Sequence, residues 1–404
     1  MTTTTAATLS ALRALCQQGL GDGVLVPALL EALHALVPSH RNLFDWTDPQ
    51  GQLLRYVIEG PIDTRVAQLY FDEFHNRRET EAMLPFQALR HQPAGVRGLD
   101  DLHPVGFYRS ALYHEIWRPQ GLHTRLEAVV RGRNGVLLGS LVLYRGPGDP
   151  RFTAADAQRL QALLPALAQG LEAGASGVSR AAADEPHLPS PEPAETLLLT
   201  LDGVACHASA GAWRWLLMAS GGASREALSQ PALAMGGPLL AQVLAQVLAR
   251  LRAQQPQQPQ QPQRGQWADA EGQADRADAA PAPPPVQVAQ TTTAGRFIAT
   301  GQLLLPTGSG SAMPLVQISL RRHEPHRVAL ERALRGLPVT PGQMAVCRAL
   351  YRGEPQTSLA QRLGVSASTV IDHVRKAYRS LDLHSAQELR ALLDTRIARA
   401  AATA

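Results

Sequence analysis

The chain has 404 residues, 45% of them hydrophobic and 18% charged, which is room for two or three globular domains. The net charge of +4 is mild, compatible with a nucleic-acid partner without requiring one. Lys376 is the only lysine and lies in no Gly-rich loop, which argues against P-loop, kinase and Schiff-base chemistry. The three cysteines, Cys16, Cys206 and Cys347, are far apart, with no CxxC or Cys/His ligand spacing. Neither a disulfide framework nor a structural zinc site is expected. No apolar run reaches membrane-spanning length, and residues 1–7 lack the basic and apolar regions of a signal peptide, so a cytoplasmic protein with no membrane partner is expected.

Residues 8–172 read as a first domain. Leu9, Leu12, Leu15 and Cys16 recur at helical spacing, as do Leu29, Leu30, Leu33 and Leu36, and Pro38 closes that second helix. Strands are predicted over 42–46 and 53–58 around the turn Asp48-Pro-Gln-Gly51. A helix follows over 62–75, with Val66, Leu69, Tyr70 and Phe74 on one face. A second hairpin, 122–130 and 136–144, brackets Gly132-Arg-Asn-Gly135. Thr153 and Asp156 then make a capping-box-like start to a helix ending near Gly170. This order describes an α+β sandwich, one antiparallel sheet carrying helices. It resembles the GAF/PAS class of sensor domains, most closely where Gly139-Ser-Leu-Val-Leu-Tyr-Arg145 precedes Phe152-Thr-Ala-Ala-Asp156.

Residues 173–194 are Ala/Ser/Pro-rich and read as a linker. A second module spans 195–322. It opens with two short strands around Asp202-Gly203, continues with helices over 208–219 and 242–252, and closes with a hairpin over 296–305 and 315–321. That opening resembles a PAS domain. Between lies a Gln/Pro/Ala-rich insertion, 253–285, whose composition buries too little apolar surface to offset ordering; it reads as a disordered tether or, alternatively, a polyproline partner site.

The segment 334–395 reads as an all-α domain of four helices. Thr340 and Pro341 start the first helix, which carries Met344, Val346, Cys347, Leu350 and Tyr351 and ends near Gly353. A short helix over 357–363 leads to Gly364-Val-Ser366, a tight turn whose Ser366 caps a third helix over 367–381. Val370, Val374, Ala377 and Leu381 form its buried stripe. Ser385 caps a fourth helix ending near Leu393. Between Arg335 and Leu393 eight basic residues stand against four acidic ones, a net +4 equal to that of the whole chain. A helix with one packed face, short polar groups near its start and cations further along suits the major groove of double-stranded DNA.

The run Leu359-Ala360, Leu363-Gly-Val-Ser366, Thr369-Val370, His373, Tyr378-Arg379 and Leu381 resembles the LuxR-type (NarL/FixJ-like) helix-turn-helix. The resemblance covers about one seventh of the chain. It implies a sequence-specific transcription regulator, with DNA contacts at Thr369, Ile371, Asp372 and Arg375; helical geometry and charge add Lys376 and Arg379. The chain departs from the family, which usually has Arg-Glu at Gly342 and Gln343, Glu at Ser358, and Lys at Ile371 and Ser380. A common cation is thus missing at Ile371, and Asp372 would repel phosphates. A degenerate domain contacting a protein partner, as in an anti-activator, is therefore the alternative.

Regulators of this type join the domain to several kinds of sensor. A receiver needs a lysine that is absent upstream, and an ATPase is excluded on the same ground. Trp46, Tyr56, Tyr70, Tyr108, Tyr113 and Trp117 are the aromatics available to line a ligand pocket; ordinary core packing is the alternative. The histidines of the first domain show no metal-ligand spacing; His75 and Glu79 are one turn apart only if their helix continues. No catalytic constellation and no cofactor is expected. The partners expected are operator DNA, a second copy of the chain on a two-fold site, a small-molecule ligand and RNA polymerase.

Overall fold

The computed structural model describes residues 3–97, 106–176, 185–254, 284–306 and 313–402. Two helices open the chain, α1 (Thr3–Cys16) and α2 (Asp22–Leu33). The hairpin β1 (Arg41–Thr47) and β2 (Leu53–Ile58) turns at Gly51, whose φ of +80° suits glycine and whose N–H donates to the Asp48 carbonyl at 3.0 Å. Helix α3 (Thr64–Leu69) is capped by Asp63, whose carboxylate accepts from the Arg65 and Val66 amides. It passes into a π-helical turn over Tyr70–Phe74, and another lies over Leu112–Trp117. Strands β3 (Gly95–Val96), β4 (Thr124–Arg131) and β5 (Leu137–Arg145) complete a sheet of order β2-β1-β5-β4-β3, antiparallel throughout. Helix α4 (Ala154–Gln161) begins at the predicted Thr153–Asp156 capping box. The single helix expected to Gly170 is interrupted at Ala162–Leu163 and resumes as α5 (Leu164–Ser176).

Strand alternation gives this sheet two buried faces. Phe44, Leu126, Leu141 and Leu143 pack with α1, α2 and α5. Val142 and Tyr144 point the other way, onto Phe74, Phe107, Leu112 and Trp117 of the irregular helical layer.

The second unit starts earlier than expected. Residues 187–189, read from sequence as linker, form β6 (His187–Pro189) paired with the last strand of this unit. Proline and alanine content hid it, because a three-residue edge strand needs no apolar alternation. The rest of the unit is β7 (Glu195–Leu199), β8 (Ala205–Ala208), α6 (Ala212–Ala219), α7 (Arg225–Leu228), α8 (Ala232–Met235), α9 (Gly237–Gln254), β9 (Val286–Thr292), β10 (Gly295–Leu304) and β11 (Leu315–Pro325). Its sheet runs β8-β7-β11-β10-β9, with β6 on β11 beyond β7. With β6 left aside, the two sheets share one order: second, first, fifth, fourth, third. Helix α9 lies against β9 and β10, where a Cβ on Gly301 would stand 2.4 Å from Val243 Cγ1; glycine lets the helix approach. Most of the predicted insertion, 255–283, lies outside the described residues, as does 177–184 of the predicted linker.

The C-terminal part is helical: α10 (His326–Leu334), α11 (Pro341–Tyr351), α12 (Gln356–Leu363), α13 (Ala367–Leu381) and α14 (Ala386–Ala402). Helix α10 was not foreseen, and α14 extends well past Leu393. The units are packed against one another. Tyr56 and Ala223 bridge the two sheets' modules, Arg55 donates to the Gly221 carbonyl at 2.8 Å, and Ile58 and Phe71 share a core with Trp215 and Phe297. Val328 of α10 enters the first core, and Ala11 of α1 enters the C-terminal one. The chain is thus mixed α/β, with two antiparallel sheets followed by helices. Among the described residues no helix is long and apolar enough to cross a membrane.

Candidate nucleic-acid face and candidate ligand cavity

Thr340 caps α11 through a capping box with Gln343. Helix α12 ends at Gly364, whose φ of +65° turns the chain sharply into Ser366. Ser366 Oγ accepts the Thr369 amide at 3.2 Å and starts α13. Val346, Ala349, Leu359, Ala360 and Val370 then form a small core, with Leu363 and Val374 against it. On the other side Ala377 packs with α10, α11 and α14. Gly342 leaves space for the His373 ring, since a Cβ there would lie 3.1 Å from His373 Cε1; this fits the absence of a long side chain at that position.

These contacts fix what α13 leaves outside. Ile371, Asp372, Arg375, Lys376 and Arg379 are exposed, Ile371 at 40%, and Thr369 is half-buried with its hydroxyl 2.8 Å from that of Ser366. The six positions singled out from sequence are therefore brought onto one helix, clear of the core. Asp372 and Lys376 pair at 2.7 Å across one turn, and that ion pair holds the Asp372 carboxyl below its ordinary range. The wider basic segment does not act as one patch. Arg348 is buried against Glu331, Arg335 pairs with Glu31, and Arg362 with Glu354; Arg375, Lys376 and Arg379 are exposed on α13, while Arg352 and Arg390 are exposed elsewhere.

The first unit holds a partly open cavity of about 130 Å³ between its sheet and the irregular helical layer. Of the six aromatics considered from sequence, Tyr56, Tyr70 and Trp117 line it. Trp46 faces the opposite core, while Tyr108 and Tyr113 sit on His123 beside it, Tyr113 Oη 2.8 Å from His123 Nδ1. Sequence reasoning missed the polar groups here. Asp45 lies on the cavity side of β1 and accepts from Ser140 Oγ at 3.1 Å. Burial first, and the charge of Glu127 second, push its carboxyl up to about 8. Arg97 and Arg125 line the same space, and both pair with Glu127, at 3.1 and 3.3 Å. His75 does not meet Glu79 as a metal pair would: the helix stops at Phe74, and Glu79 takes the Tyr70 hydroxyl and the Asn76 and Phe86 amides, each at 2.8 Å. Burial pushes the His75 imidazole down to about 4. Polar floor, aromatic wall and apolar rim are what orients a small ligand. Alternation along β1 could have exposed Asp45, since it interrupts Leu43, Phe44 and Trp46.

No family model matches the chain, and no curated protein matches it. Among solved structures, one of the E. coli DhaR(N)–DhaL complex is similar at 14% identity over 77% of this chain and 86% of that one, with a TM-score of 0.21. A likeness at that score carries no argument about fold or function.

Proposed function

We propose that the chain is a sequence-specific DNA-binding transcription regulator, with α11–α14 as a LuxR-type helix-turn-helix and α13 as its reading helix. The observation that supports this most is the division of α13: Val370 and Ala377 are buried, while Ile371, Asp372, Arg375, Lys376 and Arg379 face solvent. In this reading Thr369 and Ile371, near the start of the helix, meet base edges. Ile371 suits a thymine methyl and Asp372 a cytosine amino group. Arg375, Lys376 and Arg379 neutralise phosphates. The two upstream units act as GAF/PAS-like sensor modules, the first binding a small molecule in the cavity over Asp45, and the chain works as a homodimer on a two-fold operator in contact with RNA polymerase. The reading assigns no catalytic step.

Selection of bound DNA from a random pool by the full chain tests it. An enriched, roughly palindromic motif is expected. A second reading, a protein-interaction regulator, is favoured by the Asp372–Lys376 pair, which cancels one cation and leaves Ile371 as an exposed apolar contact. Absence of any enriched motif at low salt, with a protein partner captured through Ile371, would favour it.

A further inference from the structure

The three parts of the chain meet at a cleft of about 490 Å³. Its floor is Arg41, at the start of β1, with the loop after β2; its walls are Arg214 of α6 and Arg322 of β11; Arg332 of α10 closes one end. Four arginines from separate elements therefore line one space, together with the carboxylates of Glu31, Glu59 and Glu192.

Their counter-charges are unequal. Arg332 is neutralised by Glu31 and Glu324. Arg214 pairs with Glu192 at 2.5 Å, and Arg322 reaches the other oxygen of the same carboxylate only at 3.9 Å. Arg322 is 4% exposed; it donates Nε to the Ala294 carbonyl at 2.9 Å, and its Nη2 has no hydrogen-bond partner among the described residues. Arg41 is 9% exposed and donates only to backbone, to the Glu59 and Pro61 carbonyls at 2.7 and 2.6 Å. The nearby Glu59 carboxylate is taken by His34 at 2.9 Å and by the Asn42 amide at 2.8 Å. So one carboxylate serves the buried Arg322 and the partly buried Arg214, and the buried Arg41 has none within ion-pair distance among the described residues. Burial lowers the proton affinity of both Arg41 and Arg322, and the charge of Arg214 adds to it in each case.

Buried cations are stable when paired. A guanidinium fork matches oxyanions, and a phosphoryl group supplies more than one negative charge where a carboxylate supplies one. The cleft lies within the size range of small-molecule sites. We propose that it binds a small phosphate-bearing anion, held by Arg41, Arg214 and Arg322 between the two sheet modules. This site is separate from the cavity over Asp45. Because Arg332 shares the cleft and α10 leads into α11, an anion here fixes the modules together at the root of the C-terminal helices.

The test is calorimetric titration of the full chain with inorganic pyrophosphate, with thermal unfolding run in parallel. One-to-one binding and a raised Tm are expected, weakened about ten-fold or more by Arg214→Gln and by Arg41→Gln, and retained by Arg375→Ala/Lys376→Ala, which removes the α13 cations. Among the described residues Arg214 donates to no backbone carbonyl, so its variant keeps the test valid where Arg41→Gln fails to fold. The proposal is overturned by absence of saturable binding up to about 10 mM, by equal binding in the wild type and Arg214→Gln, or by loss of binding in the α13 variant alone.

Discussion

Glu331 and Arg348 form a pair whose removal has a calculable cost. Arg348 Nε and Nη2 reach the two oxygens of Glu331 at 2.5 and 2.7 Å, and the side chains are 10% and 4% exposed. The pair ties α10 to α11 from inside. Glu331→Gln or Arg348→Met leaves a buried charge without its partner, at a cost of about 3–5 kcal/mol. Replacing both, as Glu331→Leu/Arg348→Met, removes both charges together and costs about 1 kcal/mol or less. A double-mutant cycle in urea gives the coupling, and hydrogen exchange locates it. Amides of α11–α14 should exchange faster in either single variant, while those of β1, β4 and β5 hold their rates. Single variants costing under about 1 kcal/mol, or a double variant costing the sum of the two, would refute the reasoning.

Asp45, held at about 8 in the folded chain, keeps its proton where the unfolded chain has lost it, so its contribution to stability falls as pH rises from its ordinary range through that value. Asp45→Asn should hold its Tm between about pH 5 and pH 9 while the wild type declines; parallel declines would contradict the assignment. Gly364→Ala forces a side chain into a left-handed backbone with open space around it and should cost about 1 kcal/mol by thermal unfolding, with a neutral result pointing to a relaxed turn. Arg375→Ala/Lys376→Ala should lower the slope of log affinity against log salt by roughly 2 on a selected duplex, whereas Asp372→Ala, freeing Lys376, should steepen that slope and relax the choice of the base that Asp372 reads.

How far the sequence carried depended on how local each feature was. Helix α13 was legible to its ends because Ser366, Leu381 and the stripe between them are signals within fifteen residues. Helix α10 was not, because it follows β11 directly at Pro325 with no side-chain cap and no acidic first turn to mark its start. Strand β9 alternates at Val286 and Val288 but follows directly on a proline run that reads as disorder. The shared strand order needs β1–β5 and β7–β11 pairings, which join residues about a hundred positions apart and carry no local mark. Arg41, Arg214 and Arg322 are each more than a hundred positions from the next, so their cleft exists only in the folded chain.

The central claim is that α13 lies in a DNA groove. A photo-crosslinking benzoylphenylalanine placed at Ile371, and at the exposed Val204 as a control in the second module, tests it on the selected duplex. Adducts to bases are expected from position 371 and none from 204. No adduct from 371, or equal yields from both, would contradict it.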